Sequence, residues 1–491
     1  MKRIILFIAL LSMFSLYGVE FEKMGEHVKE IKLENGATLL LLEDDSAPIV
    51  HCITMANVGG VDETPGITGI AHFLEHLAFK GTSTIGTTNY EAEKVILDQE
   101  DAVFAKLLQA KKIGNDILAA ELQKELNELE LEASKFVVNN EFSAIYTKNG
   151  GQNFNAGTSQ DFTMYQISLP SNKLELWFAM ESERFSDPVF REFYKERQVI
   201  LDERLMTEVN SAQGRLMKQM MGTAFKVHPY KVTTIGEKED IENITRQDVK
   251  EFFNKYYGAN NLTFVLYGDI DEGKATQFAH EYLTKIPARE KSLPINIKEP
   301  TQIEERRFTV DYDASPQVMI SYHVPAKSHQ DSDSIDAFAT MFGQSETSPL
   351  LKTLVYDKKL ALYAYCFAGL PGMKYDNLFT IILAPNNGVD VEECITEVDN
   401  ILADFIATGI SEKQFTTYRK IAKKSYITSL NAGIYLPMQI GMMKNITGSH
   451  AEFFQGLEKI DQLNPSEIIQ ITNKYIVPTN RTIGILEKAG K

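Results

Sequence analysis

Hydrophobic and polar residues alternate along VKEIKLENGATLLLLEDD, a segment that begins at Val28. The alternation runs on both sides of Asn35-Gly36, a dipeptide that is typical of a β-hairpin turn. The pattern therefore predicts two antiparallel strands joined at Asn35-Gly36. Helical patterns occur beside such strands in both halves of the chain, so the predicted fold class is α+β.

A longer pattern occurs twice. TRQDVKEFFNKYYGANNLTFVLYG, from Thr245, aligns with NPSEIIQITNKYIVPTNRTIGILE, from Asn464, at a constant offset of 219 residues. Each copy predicts a helix with an acidic residue in its first turn, then a turn, then a strand. The repeat predicts a duplicated α+β unit with an N-terminal domain at 19–285, a proline-containing linker at 286–300 and a C-terminal domain at 301–491.

Residues 98–137 differ from their surroundings. Strong helix formers, leucines at helical spacing and interspersed opposite charges dominate this segment. Gly114-Asn115 divides it into a helical hairpin. We interpret 98–137 as a helical insertion, a solvated arm rather than part of a core, which is open to a partner-binding role.

Composition narrows the protein classes. A chain of 491 residues needs more than one domain, and a net charge of −17 without clusters of Lys and Arg excludes nucleic acid as a partner. Cys52, Cys366 and Cys394 are too few and too scattered for a disulfide framework, so we expect buried free thiols.

The first residues, 1–18, combine a basic start, an apolar run and small residues, which is typical of a secretory signal peptide. An uncleaved N-terminal anchor is the alternative, although the apolar run is short for a bilayer span. We expect export to the periplasm or the cell envelope.

The segment around AHFLEHL carries the candidate chemistry. His72 and His76 stand at i and i+4 on one helical face, with Glu75 beside them. Two imidazoles are suitable zinc ligands, and a neighbouring carboxylate can take a proton from zinc-bound water. Two exposed histidines on an amphipathic helix are the alternative, but the other positions of this helix are apolar, so we expect a metal.

Zinc needs a third protein ligand, and REFYKERQVILDERLM offers two carboxylates on one predicted helical stripe. The stripe consists of Phe193, Glu196, Val199, Ile200, Glu203 and Met206. The charges off the stripe are expected to be solvated: Lys195, Arg197, Asp202 and Arg204. Periodicity leaves the choice between Glu196 and Glu203 open.

Three segments together resemble the insulinase, or pitrilysin, family of zinc peptidases, in particular its shorter bacterial and mitochondrial-processing-peptidase-like members. They are HFLEHLAFKGT from His72, GGQNFNAGTSQDFTMY from Gly150, and YKERQVILDE from Tyr194. The first matches the inverted zinc motif of the family at every defining position. The resemblance extends over nearly the whole chain after the signal.

The resemblance implies a role for each matching residue. His72, His76 and Glu203 would bind one zinc ion per chain, with Glu75 as the general base. Glu196 would support the metal site. The function implied is that of a metalloendopeptidase acting on extended or unfolded polypeptides.

Asn155 and Ala156 would lie on an edge strand to which the substrate adds as a further β-strand. The implied fold has two homologous halves, each an antiparallel sheet faced by helices, that enclose a chamber. The gap of 127 positions between His76 and Glu203 is longer than the family usually shows, and the excess coincides with the insertion at 98–137.

One departure concerns the second half. Within LVYDKKLAL, Val355 and Leu362 stand where the family often has an Arg and a Tyr that reach the substrate. Neither side chain can donate a hydrogen bond to an oxyanion. We therefore expect a homodimer or a heterodimer with a related subunit that supplies them. The alternatives are a non-catalytic structural or peptide-binding subunit of an envelope assembly, and a zinc enzyme that cleaves a non-peptide ester or amide.

Overall fold

The computed structural model describes residues 24–290, 294–430 and 433–488. The predicted signal peptide lies outside these residues. The chain divides into two compact units. The first comprises Val28–Arg204 and Thr234–Pro294, and the second comprises Leu205–Thr233 and Ile295–Lys491 together with the residues up to His27, as far as they are described.

The first unit is built on a six-stranded sheet with the strand order β1-β2-β6-β3-β5-β4. Its strands are β1 (Lys29–Lys32), β2 (Thr38–Glu43), β3 (Ile49–Ala56), β4 (Gln152–Thr158), β5 (Thr163–Pro170) and β6 (Leu262–Gly268). The predicted hairpin is confirmed, since β1 and β2 are antiparallel with Gly36 between them at φ 87°. The sheet is mixed, because β2 and β6 are parallel. Parallel neighbours need a crossover connection, and β6 follows a helix rather than a hairpin.

Helices of the first unit share a hydrophobic core with the sheet. They are α1 (Ile70–Leu77), α2 (Tyr90–Lys112), α3 (Asp116–Ser134), α4 (Glu141–Lys148), α5 (Leu174–Ser186), α6 (Phe193–Arg204), α8 (Lys238–Asn243), α9 (Arg246–Tyr256) and α10 (Glu272–Tyr282). Leu39 and Leu41 of β2 belong to the same buried cluster as Phe73 of α1 and Trp177 of α5. Successive strand residues point to opposite faces of the sheet, and Leu40 and Leu42 of β2 are buried as well. The continuous apolar run in β2 therefore corresponds to a strand that is buried on both faces.

The second unit has a five-stranded sheet with the order β7-β11-β8-β10-β9. Its strands are β7 (Arg306–Asp311), β8 (Gln317–Val324), β9 (Ala361–Leu370), β10 (Asn377–Pro385) and β11 (Arg481–Glu487). Its helices are α7 (Ala212–Ala224), α11 (Ser332–Gly343), α12 (Pro349–Leu351), α13 (Val391–Thr408), α14 (Glu412–Leu430), α15 (Tyr435–Thr447), α16 (Ala451–Phe454), α17 (Gly456–Gln462) and α18 (Pro465–Tyr475). This sheet is also mixed, since β11 and β7 are parallel.

One segment differs from the predicted domain boundaries. Leu205–Thr233 falls inside the predicted N-terminal domain but belongs to the second unit. Its helix α7 ends against the second sheet, where the carbonyl oxygen of Ala224 accepts a hydrogen bond from Nη1 of Arg306 at 2.6 Å. Sequence periodicity could not reveal that this segment belongs to the second unit, because the contact joins residues far apart in the chain.

The repeat in the sequence is a repeat in the structure. Adding 219 to the bounds of α9 and β6 gives the bounds of α18 and β11 at both ends of each element. Asn261 and Asn480, which align in the two copies, each donate from Nδ2 to the carbonyl oxygen of the last helical residue, Tyr256 or Tyr475, at 2.8 Å. The same side chain therefore closes the same turn in both units.

The helical insertion forms the predicted hairpin, with α2 ending before Gly114-Asn115 and α3 beginning after it. The expectation of a solvated arm is wrong for the face of the hairpin that packs against the rest of the first unit. Phe104 and Leu107 of α2 and Leu126 of α3 are buried in the core of the first unit. Leucines at helical spacing form an apolar stripe, and that stripe packs against the domain.

The three cysteines are buried and free, as predicted. Among the described residues, no helix combines the length and the apolar character that crossing a bilayer requires.

Candidate metal centre

The helix α1 carries three of the predicted site residues, and a buried carboxylate fixes its first turn. Glu63 accepts hydrogen bonds from the backbone N–H groups of Gly69, at 2.8 Å, and Ala71, at 2.9 Å. Gly69 has φ 88°, a left-handed conformation that favours glycine. Burial raises the pKa of Glu63 to about 8, although both backbone donors favour its ionised form. Glu63 thus replaces a conventional capping side chain at the N-terminus of α1.

The histidines lie side by side on the following turn. The rings of His72 and His76 have centroids 4.7 Å apart in an edge-to-face arrangement. One ligand atom from each of His72, Glu75 and His76 lies within 4.8 Å of the others. The i, i+4 spacing therefore brings two ring nitrogens and a carboxylate to one point in space, as the sequence predicts.

Glu203 approaches the same point from α6. Its Oε2 is 3.8 Å from Nε2 of His72 and 3.6 Å from Nε2 of His76. Two ligands of a tetrahedral zinc ion with bonds of about 2.0–2.1 Å are separated by about 3.3 Å. Both distances from Glu203 are thus within about 0.5 Å of the spacing that a zinc ion requires.

Glu196, one helical turn before Glu203, contacts the other nitrogen of His76. Its Oε2 is 3.2 Å from Nδ1 of His76, and its Oε1 is 2.5 Å from Nζ of Lys80. Lys80 also lies 3.1 Å from Glu192. A carboxylate that accepts from Nδ1 leaves Nε2 free to bind a metal, which is the usual arrangement around a ligating histidine.

The environment sets the charge of each histidine. Burial, reinforced by the nearby charge of His76, lowers the pKa of His72 to about 4. Burial also lowers the pKa of His76, but the hydrogen bond to Glu196 and the surrounding carboxylates outweigh it, so that pKa is raised. His72 is neutral near pH 7, the form that binds a metal, and its Nδ1 is buried without a hydrogen-bond partner among the described residues.

The buried carboxylate of Glu75, on α1, lies next to the C-terminal end of the edge strand β4. Burial raises its pKa, and Oγ1 of Thr158, the last residue of β4, lies 3.5 Å from its Oε2. Asn155, exposed, and Ala156, half-buried, are on the same strand and pair with β5. In the part of the chain that the structure describes, no strand of this sheet pairs with the other edge of β4. The candidate base and the predicted substrate strand are thus adjacent.

The predicted stripe on α6 is correct in part. Phe193, Glu196 and Ile200 are buried, whereas Val199 and Met206 are exposed. Met206 lies beyond the end of α6, in a π-helical turn that changes the direction of the side chains.

The prediction that all charges off the stripe are solvated is wrong for two arginines. Arg197 is buried against α2 of the insertion, and Nε of Arg204 donates to the carbonyl oxygen of Gly236 at 3.0 Å. Lys195 and Asp202 are exposed, as predicted.

The sequence did not indicate Lys80 or Glu63 as part of the centre. Lys80 follows the second histidine by four positions, so it lies within reach of the same surface. This local signal could have identified it. Glu63 could not have been identified by spacing, because a loop rather than a helix brings it to α1.

The donor set fits zinc. Two imidazoles and one carboxylate are the ligands of many catalytic zinc sites, in which a fourth position stays open. The buried, neutral His72 and the hydrogen-bonded His76 present nitrogen lone pairs, and Glu203 adds a negative charge. A site of this composition would be difficult to stabilise in the interior without a cation.

In the second unit, the positions of the absent Arg and Tyr offer no donor. Val355 packs against the hydrophobic core of that unit, and Leu362 is exposed at the start of the edge strand β9. Neither side chain can therefore donate a hydrogen bond to a substrate.

Comparison with protein families gives two matches that together cover most of the chain. A family model described as Insulinase (Peptidase family M16) matches residues 39–98 and 126–238. A second, described as Peptidase M16 inactive domain, matches residues 243–422. The unmatched residues 99–125 lie in α2, in α3 and in the turn between them.

Individual relatives agree with these matches. The zinc protease PqqE of Helicobacter pylori is 26% identical over 475 residues, which cover 94% of this chain and 92% of that protein. The β subunit of the mitochondrial-processing peptidase of Saccharomyces cerevisiae is 22% identical, with 90% and 87% covered.

Solved structures show the same fold. The crystal structure of a protease from Helicobacter pylori superposes with a TM-score of 0.78 at 24% identity, covering 94% of this chain and 99% of that one. The first half of the periplasmic protease PqqL from Escherichia coli gives a TM-score of 0.68 at 15% identity, with 94% and 92% covered. With its two sheets flanked by helices and its zinc-protease relatives, the chain belongs to the insulinase family of peptidases, M16.

Proposed function

We propose that this chain is a zinc-dependent endopeptidase that hydrolyses peptide bonds in extended or unfolded polypeptides. The observation that carries the proposal is the convergence of His72, His76 and Glu203 on one point, with the carboxylate of Glu75 beside them. Oε2 of Glu75 lies 4.0 Å from Nε2 of His72. The zinc-protease relatives support peptidase chemistry at such a site.

His72, His76 and Glu203 would hold the zinc ion, one per chain. Zinc supplies Lewis acidity, which lowers the pKa of a coordinated water to about 7. Glu75 accepts a proton from the attacking water and donates it to the nitrogen of the departing amine. Burial raises the pKa of Glu75 towards the pH of the reaction, which favours a group that both takes and returns a proton.

The free edge of β4 would bind the substrate. An extended peptide that adds to this edge forms main-chain hydrogen bonds near Asn155 and Ala156, whatever its sequence. Because Thr158 of the same strand lies beside Glu75, a peptide aligned on β4 would bring a carbonyl group close to the candidate base. Folded substrates would bind poorly, since their main-chain groups are already paired.

Replacing Glu75 with Gln tests the mechanism. Glu75→Gln removes the proton acceptor but preserves the size of the side chain and all three proposed zinc ligands. Hydrolysis of an unstructured peptide should be abolished while the zinc content, measured by elemental analysis, stays that of the wild type. Glu91→Gln, an exposed carboxylate on α2, is the matched control and should keep full activity. An active Glu75→Gln enzyme would refute the mechanism.

We further propose that a related subunit, in a homodimer or a heterodimer, supplies the Arg and Tyr that Val355 and Leu362 replace. One relative is named as the β subunit of a processing peptidase, which supports a heteromeric arrangement. Peptide hydrolysis should increase when the chain is mixed with the product of a neighbouring gene of the same family. Full activity of the isolated monomer would remove the need for a partner.

Export is the remaining part of the proposal. A relative of this chain is described as a periplasmic protease in Escherichia coli, and residues 1–18 have the pattern of a signal peptide. Cell fractionation should recover the protein from the periplasm, with its N-terminus near residue 19. Recovery in the cytoplasm with Met1 intact would contradict export.

A further inference from the structure

A cavity of about 770 Å³ lies between the helical insertion and α6, on the side of α6 away from its metal-facing carboxylates. Its walls include residues of α2 and α3 that the family model leaves unmatched. Pockets for small ligands usually have volumes of about 300–1,000 Å³. The apolar part of the wall includes Leu97, Phe104, Leu126 and Phe193.

Arg197 places a cationic guanidinium group in this wall. Its side chain is only 8% exposed, and its guanidinium carbon lies 4.1 Å from the centroid of the Phe104 ring. Nη2 donates to the carbonyl oxygen of Ile244 at 2.6 Å. Nε is buried without an acceptor among the described residues. Nε lies too deep to reach a ligand, so the guanidinium would act on a ligand in the cavity through its charge and its remaining donors.

Glu130 provides the complementary charge. It is half-buried on α3 and lines the same cavity. Burial raises the pKa of Glu130, and Arg197 is the nearby charge that opposes this shift most. Within the described part of the chain, no cation lies within ion-pair distance of Glu130. Arg197 and Glu130 thus line the same cavity but do not form an ion pair with each other.

The other acidic groups of the wall already have cationic partners. Glu93 lies 2.8 Å from Arg191, and Glu100 lies 2.7 Å from Arg246. Glu192 contacts Lys195 at 2.6 Å. A simple anion would meet repulsion from Glu130, and a simple cation would meet repulsion from Arg197. A ligand that carries both charges on an apolar body satisfies both groups.

We infer that this cavity binds a short peptide with free termini and apolar side chains. Its carboxylate lies at Arg197, its ammonium group lies at Glu130, and its side chains pack on Phe104 and Leu126. Products of peptide hydrolysis belong to this class of ligand. The inference stands on the cavity and its charges, so it does not require the proposed endopeptidase activity to be correct.

The position of the cavity would allow a bound peptide to affect the metal centre. Phe193, which lines the cavity, stacks on Phe73 of α1 with ring centroids 4.7 Å apart. One layer of side chains therefore separates the ligand from the helix that carries His72 and His76.

Isothermal titration calorimetry with the dipeptide Leu-Leu tests the inference on the full chain. The free dipeptide should bind saturably. Acetylating its amine or amidating its carboxylate should each weaken binding at least about tenfold, because each removes a charge that meets a buried partner. Chromatography after the titration shows whether the dipeptide is intact. Absence of binding at millimolar dipeptide, or equal affinity for the free and the doubly blocked peptide, would overturn the inference.

Variants assign the binding to this cavity. Glu130→Gln should weaken binding of Leu-Leu about tenfold and abolish the preference for a free amine. Glu128→Gln is the matched control on the same helix, since Glu128 is exposed and pairs with Lys124 at 3.7 Å. Arg197→Met should likewise abolish the preference for a free carboxylate, with folding checked by circular dichroism. Wild-type affinity in Glu130→Gln would also overturn the inference.

Discussion

Glu196 offers a sharp test of how the metal centre is supported. In the wild type, Oε2 of Glu196 lies 3.2 Å from Nδ1 of His76. Glu196→Gln keeps a side-chain oxygen that can accept this hydrogen bond but removes the negative charge of the carboxylate. Carboxylates that hold a ligating histidine usually contribute a factor of about 10 to 100 to metal affinity. Because the hydrogen bond survives, we expect the lower end, a tenfold loss or about 1.4 kcal/mol. Glu196→Ala, which removes the acceptor, should approach the upper end.

The effect on folding should be small. When Glu196 is neutral, Lys80 still has Glu192 as a partner at 3.1 Å, so no buried cation loses its only carboxylate. This arrangement also provides the control. Glu192→Gln removes the other carboxylate beside Lys80, but no contact joins Glu192 to His76. Zinc affinity should therefore change in Glu196→Gln and not in Glu192→Gln.

Competition between the metal-stripped protein and a fluorescent zinc chelator measures the affinity directly. Circular dichroism and urea unfolding of the metal-free variants show whether the fold is intact. Equal losses in Glu196→Gln and Glu192→Gln would indicate a general electrostatic effect. Unchanged affinity in Glu196→Gln would refute a supporting role for this carboxylate.

Three further predictions concern other parts of the first unit. In the metal-free protein the pKa of His72 is about 4, below its usual value of 6.5, so acidification favours the unfolded chain. Between pH 7 and 5 the wild type should lose about 2 kcal/mol more unfolding free energy than His72→Gln in urea titrations, and equal losses would contradict the shift. Arg246→Met should cost about 3–5 kcal/mol of unfolding free energy, because it removes the cationic partner of the buried Glu100 and of the half-buried Asp101, whereas Lys106→Met on the exposed face of α2 should cost little. Alternate N–H groups of β4 point to opposite edges, so only one of Asn155 and Ala156 has its N–H at the free edge. Proline at that residue should raise KM for an unstructured peptide about tenfold, and unchanged KM values in both proline variants would exclude binding at this edge.

The elements of the site that the sequence predicted are local ones. His72, Glu75 and His76 belong to one helix, and the spacing of a helix fixes which side chains share a face. Glu196 and Glu203 share a stripe for the same reason, so periodicity alone could not distinguish them. The structure distinguishes them, since Glu196 meets Nδ1 of His76 and Glu203 approaches Nε2 of both histidines.

The features that sequence reasoning missed depend on contacts between distant segments. Arg197 has the pattern of a solvated charge on α6, and only the packing of α2 over it buries the side chain. Leu205–Thr233 could not be assigned to the second unit without the sheet against which it packs. The antiparallel expectation failed for one strand pair in each sheet, because register and direction follow from the path of the chain and not from hydrophobic alternation.

Comparison of the two units shows which features of the repeat are structural and which are chemical. The sheets, the helix-to-strand turn and its asparagine occur in both, because both units need a buried core and a closed turn. The helix α11 follows β8 as α1 follows β3, but its sequence, SDSIDAFATMFG, contains neither His nor Glu, and Phe338 and Phe342 fill its buried face. Its two aspartates, Asp333 and Asp336, contact Lys327 at 3.0 and 2.7 Å. A second centre built from two histidines and a glutamate therefore cannot form at the equivalent place, and we expect one zinc ion per chain. Elemental analysis of the purified protein should give one equivalent of zinc that is lost in His72→Gln, and a second equivalent that survives this substitution would contradict the assignment of the metal to the first unit alone.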